Sequence, residues 1–265
     1  MFHNLLNSLR ENKYLIKNMI IRDIKQRYTG SALGIIWFFI QPLATILIYT
    51  FVFSFVLKSK LGPEYGGLSF SIWLICGLVP WMYFNEVIVR ATNALIDNAS
   101  LIKKTIFNTK WTVFSYLLSG MFSFFVFIII VFVLFFFFHV SVTWNLLMLP
   151  IYIIILSTFM FGIALLLSSL NVYLRDTNQF LSVFLNVWFY LTPIVYPINI
   201  IPEKYRFFLE INPLYHFIQG FRNIMLSTGT FNISSFVYML AFSILSLMVG
   251  LKVFNKLKDG FADVL

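Results

Sequence analysis

The side chains able to do chemistry are few and scattered. Three histidines, His3, His139 and His216, could each move a proton or bind a metal, but a metal site needs several donors close together. These three are far apart along the chain. The single cysteine, Cys76, cannot close an intrachain disulfide, and its apolar neighbours mark it as a small buried side chain. Glycine is never followed by lysine, so the phosphate-cradling G-x-x-x-x-G-K-[ST] loop is absent. No D-x-D acid pair occurs, and no Ser, His and Asp are spaced as a triad. Glu86 and Arg90 stand four apart, so a helix puts them on one face. An acid inside a membrane is a candidate proton relay; with Arg90 beside it, Glu86 reads instead as half of an ion pair at the cytoplasmic interface. The chain therefore carries no catalytic residue and no metal or cofactor site of its own. Work against a gradient would need a partner to supply the energy.

The elements around these residues are built for lipid. Of 265 residues, 60% are hydrophobic and 11% charged, with a mean hydropathy of +0.88. A soluble domain carries about 25% charged residues to cover its surface. The net charge of +9 could suggest nucleic acid. The basic residues, however, cluster between apolar runs, as membrane orientation requires, so no nucleic-acid partner is expected. Charge-free windows cover 29–57, 65–85, 111–174, 177–202 and 223–251. The third, as one rod, would be about 96 Å long against a hydrocarbon core of about 30 Å. It must fold back, and His139–Asn145 is its only polar, β-branched interruption. Runs without in–out alternation exclude a membrane barrel. The fold class is all-α, with six transmembrane helices at 31–57, 67–90, 112–138, 146–170, 177–199 and 232–254 in a single domain, 1–265.

Six crossings put both termini on one side. The N-terminal segment, the second loop (Arg90, Lys103, Lys104, Lys110), Arg175 and the tail (Lys252, Lys256, Lys258) are basic. The opposite side keeps only Lys58, Lys60, Lys204, Arg206 and Arg222. The positive-inside rule places both termini in the cytoplasm. The first apolar run is too long for a signal peptide and reads as a retained helix.

Three segments are not simple spans. Residues 1–28 carry Ile16, Ile20, Ile24 and Tyr28 at i+4 spacing, with lysines and arginines off that stripe. Such a basic amphipathic helix lies in the headgroup plane, as a passive anchor or as a lever on the first span. In the second loop, 97–108 reads as a short helix capped by Asp97 or Asn98, with Leu101, Ile102, Ile106 and Phe107 on one face. Apolar residues in a cytoplasmic loop need a cover, either this chain's own helices or a separate subunit. Residues 200–222 are too polar to span and too aromatic for a free loop. They read as a re-entrant or interfacial helical hairpin broken at Asn212-Pro213.

A set of short motifs joins these segments. They are Arg22-Asp23-Ile-Lys25-x-Arg27-Tyr28, Leu33-Gly34-x-x-Trp37 with Pro42, and Gly77-Leu78-x-Pro80-Trp81-x-Tyr83-Phe84. There follow Asn98-x-x-Leu101-Ile102-x-Lys104-x-x-Phe107, Asn171-Val172-x-x-Arg175-Asp176, Thr192-Pro193-Ile194-x-Tyr196, Asn212-Pro213 with Arg222, and the tail 260–265. In order and spacing the chain, from about residue 20 to its end, resembles the permeases of type-two ABC exporters of bacterial cell-surface polysaccharide: O-antigen, capsule and teichoic acid transporters. Asn108 follows Phe107 where that family often has proline, which leaves the end of the loop helix undefined.

The resemblance implies a bacterial inner-membrane homodimer paired with two separately encoded ABC ATPase subunits, which would hold ATP and magnesium. It implies that the loop helix is the coupling helix, with Asn98, Leu101, Ile102, Lys104, Ile106 and Phe107 meeting the ATPase. The N-terminal helix, with Arg22, Asp23, Lys25, Arg27 and Tyr28, would be a gate near the lipid-linked end of the polysaccharide. The hairpin would be the extracytoplasmic gate. A sugar chain crossing a bilayer needs a conduit, because stripping hydroxyls of hydrogen bonds is costly. Aromatic faces suit a sliding chain, which makes Trp37, Tyr49, Trp188, Tyr190 and Tyr196 candidate lining residues and Pro42 and Pro193 candidate bending points. A permease for a small amphiphile would share this layout. A membrane-embedded transferase would need the carboxylates or histidines that are missing, and a passive channel would need no ATPase.

Overall fold

The computed structural model describes residues 2–27, 29–59, 61–62, 68–104, 107–227 and 232–265, with side chains other than those of 2–12 and 104. Among the described residues there are helices and no strands. They are α1 (Phe2–Gln26), α2 (Trp37–Thr50), α3 (Phe70–Asp97), α4 (Ala99–Lys104), α5 (Lys110–Phe137) and α6 (Leu149–Tyr173). Then come α7 (Thr177–Leu191), α8 (Glu203–Glu210), α9 (Pro213–Leu226), α10 (Ile233–Leu257) and α11 (Phe261–Val264). Five stretches are long and apolar enough to cross a membrane: Gly34–Val56, Phe70–Asp97, Lys110–Phe137, Trp144–Tyr173 and Ile233–Val264. The chain is a multi-pass membrane protein.

The expected fifth crossing, 177–199, differs. Helix α7 has 15 residues and stops at Leu191, which gives about 22 Å of helix. Proline at 193 lacks the N–H that would continue the ladder, and Thr192 is already extended. Pro193 thus ends a helix and does not bend one. The expected second crossing, 67–90, runs on to Asp97. Its charged residues Glu86 and Arg90 do not stop it, because other helices meet their charges.

Helix α3 is the centre of the molecule. Apolar on nearly every side, it is buried along most of its length, as such a helix must be. It packs against α5, α6, α7 and α9. Helices α6 and α10 form the most extensive pair. A Cβ on Gly162 would come within 2.2 Å of the Ser246 backbone, and one on Gly250 within 2.1 Å of the Gly162 carbonyl oxygen. Small residues allow this close approach, and the serines of α10 then reach across. Ser243 donates to the Ile155 carbonyl (3.0 Å) and Ser246 to the Phe159 carbonyl (3.1 Å). By contrast α2, with Pro42 inside it and a π-helical continuation over Phe51–Val56, buries only Phe38, Pro42 and Ile46.

The hairpin region is two helices. Asn212 caps α9 by accepting from Leu214 N at 3.1 Å, and Pro213 occupies its first position, where the missing N–H costs nothing. Helix α9 lies within the protein, with Phe217, Phe221 and Arg222 fully buried. Arg222, counted above among the outward cations, sits inside. It donates to the carbonyls of Trp73 (3.2 Å), Pro193 (2.8 Å) and Ile194 (2.5 Å), and its guanidinium lies 3.5 Å from the Trp73 ring. Buried backbone outside a helix needs partners from the protein, and Arg222 supplies them to Pro193 and Ile194 in the break after α7. Gly77 makes room for it, since a Cβ there would be 2.3 Å from a guanidinium nitrogen.

Candidate functional site

A cavity of about 650 Å³ opens between α2, α3, α5 and α7. Its walls mix aromatic rings (Tyr49, Trp81, Phe189, Tyr190) with amides and a hydroxyl (Gln41, Thr45, Asn85, Asn186). Of the five aromatic residues expected to line a conduit, Tyr49 and Tyr190 are in this wall. Trp37 is exposed away from it. Trp188 is a structural anchor, donating its indole N–H to Asn212 at 2.9 Å and packing edge-on against Phe84. Tyr196 donates to the Tyr190 carbonyl at 2.8 Å. Trp81 stands in a motif singled out above but was not expected in the wall; for Phe189 and the amides no sequence signal separates them from the many other apolar and amide residues.

One end of the cavity is closed by charge. Arg27, Glu86, Arg90 and Ser123 line it there, and Asp23 lies directly behind, 5% exposed. Arg27 pairs with Glu86 and donates to Ser123 (2.8 Å), Ser119 (2.7 Å) and Asp23 (3.1 Å). Arg90 pairs with Asp23, and stands 3.7 Å from Glu86. Ser119 donates to Asp23, and Ser123 to Glu86 at 2.8 Å. The Glu86–Arg90 pair read from spacing therefore exists as the loosest contact of a larger cluster. The main partner of Arg90 is Asp23 on α1, and that of Glu86 is Arg27, just past the end of α1. Two carboxylates and two guanidiniums make the cluster neutral. Burial holds the Asp23 carboxyl above its ordinary value, despite the Ser119 hydrogen bond and the Arg27 charge that oppose the shift.

Local sequence explains how α1 reaches this cluster. Ile16, Met19 and Asp23 follow one another at helical spacing and are all buried. Helix α1 packs on α5, so its apolar stripe faces protein as well as the surroundings. Lys25 points outward, and Tyr28 lies outside the described residues.

Helix α1 also touches the loop helix. Arg22 donates to the Asn98 side chain, which in turn donates to the Ala94 carbonyl (2.8 Å) and to Tyr116 (3.3 Å). The Asn98 backbone carbonyl accepts from Leu101 N (3.0 Å) and Ile102 N (3.1 Å) and starts α4. So Asn98 does not cap α4 with its side chain; that side chain faces inward. Of the apolar residues in this loop, Ile102 is buried in a small core with Ala91, Leu95, Tyr116, Phe254 and Phe261, and Phe107 packs against the same core. Their cover is this chain's own helices. Leu101 stays partly exposed. Ile106 and the Lys104 side chain lie outside the described residues. Asn171 is buried and donates to the Thr92 carbonyl at 3.0 Å, tying α6 to α3, while Arg175 and Asp176 are exposed in the turn before α7. Among the described residues no group of His, Cys, Asp and Glu could hold a metal ion.

Known proteins are similar to this chain over nearly all of its length. It is similar to the O-antigen export system permease protein RfbA of Klebsiella pneumoniae, 32% identical over 259 residues, which are 95% of this chain and 96% of the relative. The RfbA of Myxococcus xanthus is 24% identical over 261 residues, 98% of each chain. The polysialic acid transport protein KpsM of Escherichia coli is 24% identical over 260 residues, 94% of this chain and 95% of the relative. The family model described as ABC-2 type transporter matches residues 14–226, a stretch that includes the charged cluster, the large cavity and the loop helix. This chain belongs to the ABC-2 type transporter family, whose permease subunits are not enzymes.

Proposed function

We propose that this chain is the membrane-spanning permease of an ATP-driven exporter of lipid-linked cell-surface polysaccharide, with O-antigen as the first candidate polymer. One observation carries the reading. A cavity walled by aromatic rings and amides, suited to sliding sugars, is shut at one end by charged side chains that tie α1 to α3 and α5. The full-length similarity to proteins named for O-antigen export and polysialic acid transport supports the same cargo class.

In this reading α1 is the gate and α4 the coupling helix, and both termini lie in the cytoplasm. Six crossings result when the α7 crossing is completed by 192–200. Two copies of the chain pair with two ABC ATPase subunits, which bind ATP and magnesium. Closure of the ATPases pushes α4. Asn98 passes that push to Arg22, and the pairs Arg27–Glu86 and Arg90–Asp23 are the contacts that must open for the polymer to enter. The contact with the ATPase falls to the exposed side of α4, around Leu101 and Lys103, and to Arg175 and Asp176, because Ile102 is in the core. The α8–α9 pair is the extracytoplasmic gate.

The test is a deletion strain analysed for surface glycan, together with purification of the native complex. Loss of the glycan with intracellular lipid-linked polymer accumulating, and an ABC ATPase co-purifying, is the expected result. An unchanged glycan, or nucleotide hydrolysis by this polypeptide alone, would overturn the reading.

A further inference from the structure

A second, smaller cavity of about 270 Å³ lies where the 3-10 turn Trp144–Met148, the middle of α9 and the first turn of α10 meet. It is at the opposite end of α6 from α4 and α11. No lysine, arginine, aspartate or glutamate lines it among the described residues. Its walls are amides, from Asn145, Gln219, Asn223 and Asn232, the rings of Tyr152, Tyr215 and His216, the Ser235 hydroxyl, and the apolar Met148, Ile224 and Met239. Burial lowers the His216 pKa, which favours its neutral ring.

Three of these amides are oriented by hydrogen bonds within the protein. The Asn145 NH2 group donates to Ser227 at 3.4 Å, which leaves its oxygen as an acceptor. The Gln219 oxygen accepts from Arg222 at 3.2 Å, and the Asn232 oxygen caps α10 by accepting from Ser235 N at 3.1 Å. Each of those two keeps its NH2 group as a donor. Tyr152 can lie against α9 only because residue 220 is glycine; a Cβ there would be 2.4 Å from the ring. The cavity thus offers fixed donors and acceptors beside an aromatic wall, with no net charge. A phosphate would find no cation and a metal no anion, and an acyl chain would leave the amides unsatisfied. A hydroxyl-rich neutral ring both donates and accepts. The volume equals that of about nine waters at ~30 Å³ each, enough for one six-membered sugar.

We propose that this cavity holds one uncharged sugar unit of the exported chain, as a grip at the far end of the permease, separate from the large cavity. This rests on the polysaccharide-export reading.

The test uses purified protein in nanodiscs of zwitterionic lipid. The probes are the individual monosaccharides released by hydrolysis of the cell's own surface glycan, with sugars absent from that glycan as controls. Saturation-transfer NMR reports contact. At least one component sugar should show transfer, reduced about tenfold by Asn223→Leu, which fills the cavity, and unchanged by Val183→Ala on the exposed side of α7, outside both cavities. Asn232→Asp gives a second variant: it keeps the helix cap, replaces the donor by an acceptor, and should weaken transfer about as much. No transfer, transfer indifferent to both variants, or preference for the absent sugars would overturn the proposal. Its failure is separable from that of the export reading. A deletion strain that keeps its glycan sinks the latter, whereas a deletion strain without glycan and an Asn223→Leu protein that binds sugar like the wild type sink only this one.

Discussion

Helix pairs α6–α10 and α1–α5 are joined by opposite means. Between α6 and α10 the backbones touch at Gly162 and Gly250, and serines bond to carbonyls across the seam. Helix α1 is held to α3 and α5 by guanidiniums, carboxylates and hydroxyls, and to the start of α4 through Arg22 and Asn98. Water can replace an ion pair, but nothing replaces a backbone packed to van der Waals distance. The first seam is a weld and the second a latch. Moving parts are drawn from the less firmly bound regions of a protein, and of these two helix pairs α1–α5 is the less firmly bound.

The largest effect should come from breaking the weld. Gly162→Leu forces a side chain into the Ser246 backbone, and overpacking of that kind costs about 1–3 kcal/mol or more. Purification in detergent should yield little monodisperse protein. A well-folded Gly162→Leu protein would show that the seam is not packed as described.

Next in size is reversal of the latch. Arg27→Glu sets a third acid against Glu86 and Asp23, and export should fall by more than tenfold while the protein stays folded. Adding Glu86→Arg should recover part of the loss, with a coupling energy of about 1–3 kcal/mol. A double variant no better than the single would remove the latch from the account.

Asn98→Leu should act more gently. It deletes the links to Arg22 and Tyr116 but keeps the backbone carbonyl that starts α4. ATP hydrolysis by the assembled complex should continue while export per ATP drops several-fold; an unchanged ratio would cut Asn98 out of the transmission path.

The smallest effect is on pH. Asp23 titrates above its ordinary value when α1 is docked, because burial penalises its charge. The docked helix therefore binds a proton more readily than a detached one. Docking is favoured on the acid side and weakens as pH rises through the raised value. Hydrogen exchange of residues 14–26, corrected for intrinsic rate, should show protection falling from acid to neutral pH, and Asp23→Asn should flatten the trend.

The parts legible in the sequence were those set by local composition. Apolar runs longer than a bilayer is thick forced helices, and the break read at Asn212-Pro213 is where α9 begins. The stop of α7 at Leu191 was misjudged because a charge-free window ignores proline. The extension of α3 to Asp97 was missed because the same window stops at any charge, even one neutralised by another helix. Glu86 and Arg90 were visible as a pair four apart, but their partners Asp23 and Arg27 are some sixty residues away, and no local spacing predicts that meeting.

What the sequence by itself determined is the solvent and the class: with so little charge and such long apolar runs, backbone groups could be satisfied only within helices in lipid. Tertiary structure alone decided which of many similar side chains matter. It put Arg222 inside, turned Ile102 into the core, chose Tyr49 and Tyr190 for the cavity wall and assigned Trp188 to anchoring. The reason is physical: hydropathy records how much a residue prefers lipid or protein to water, but not which neighbour satisfies it once it is there.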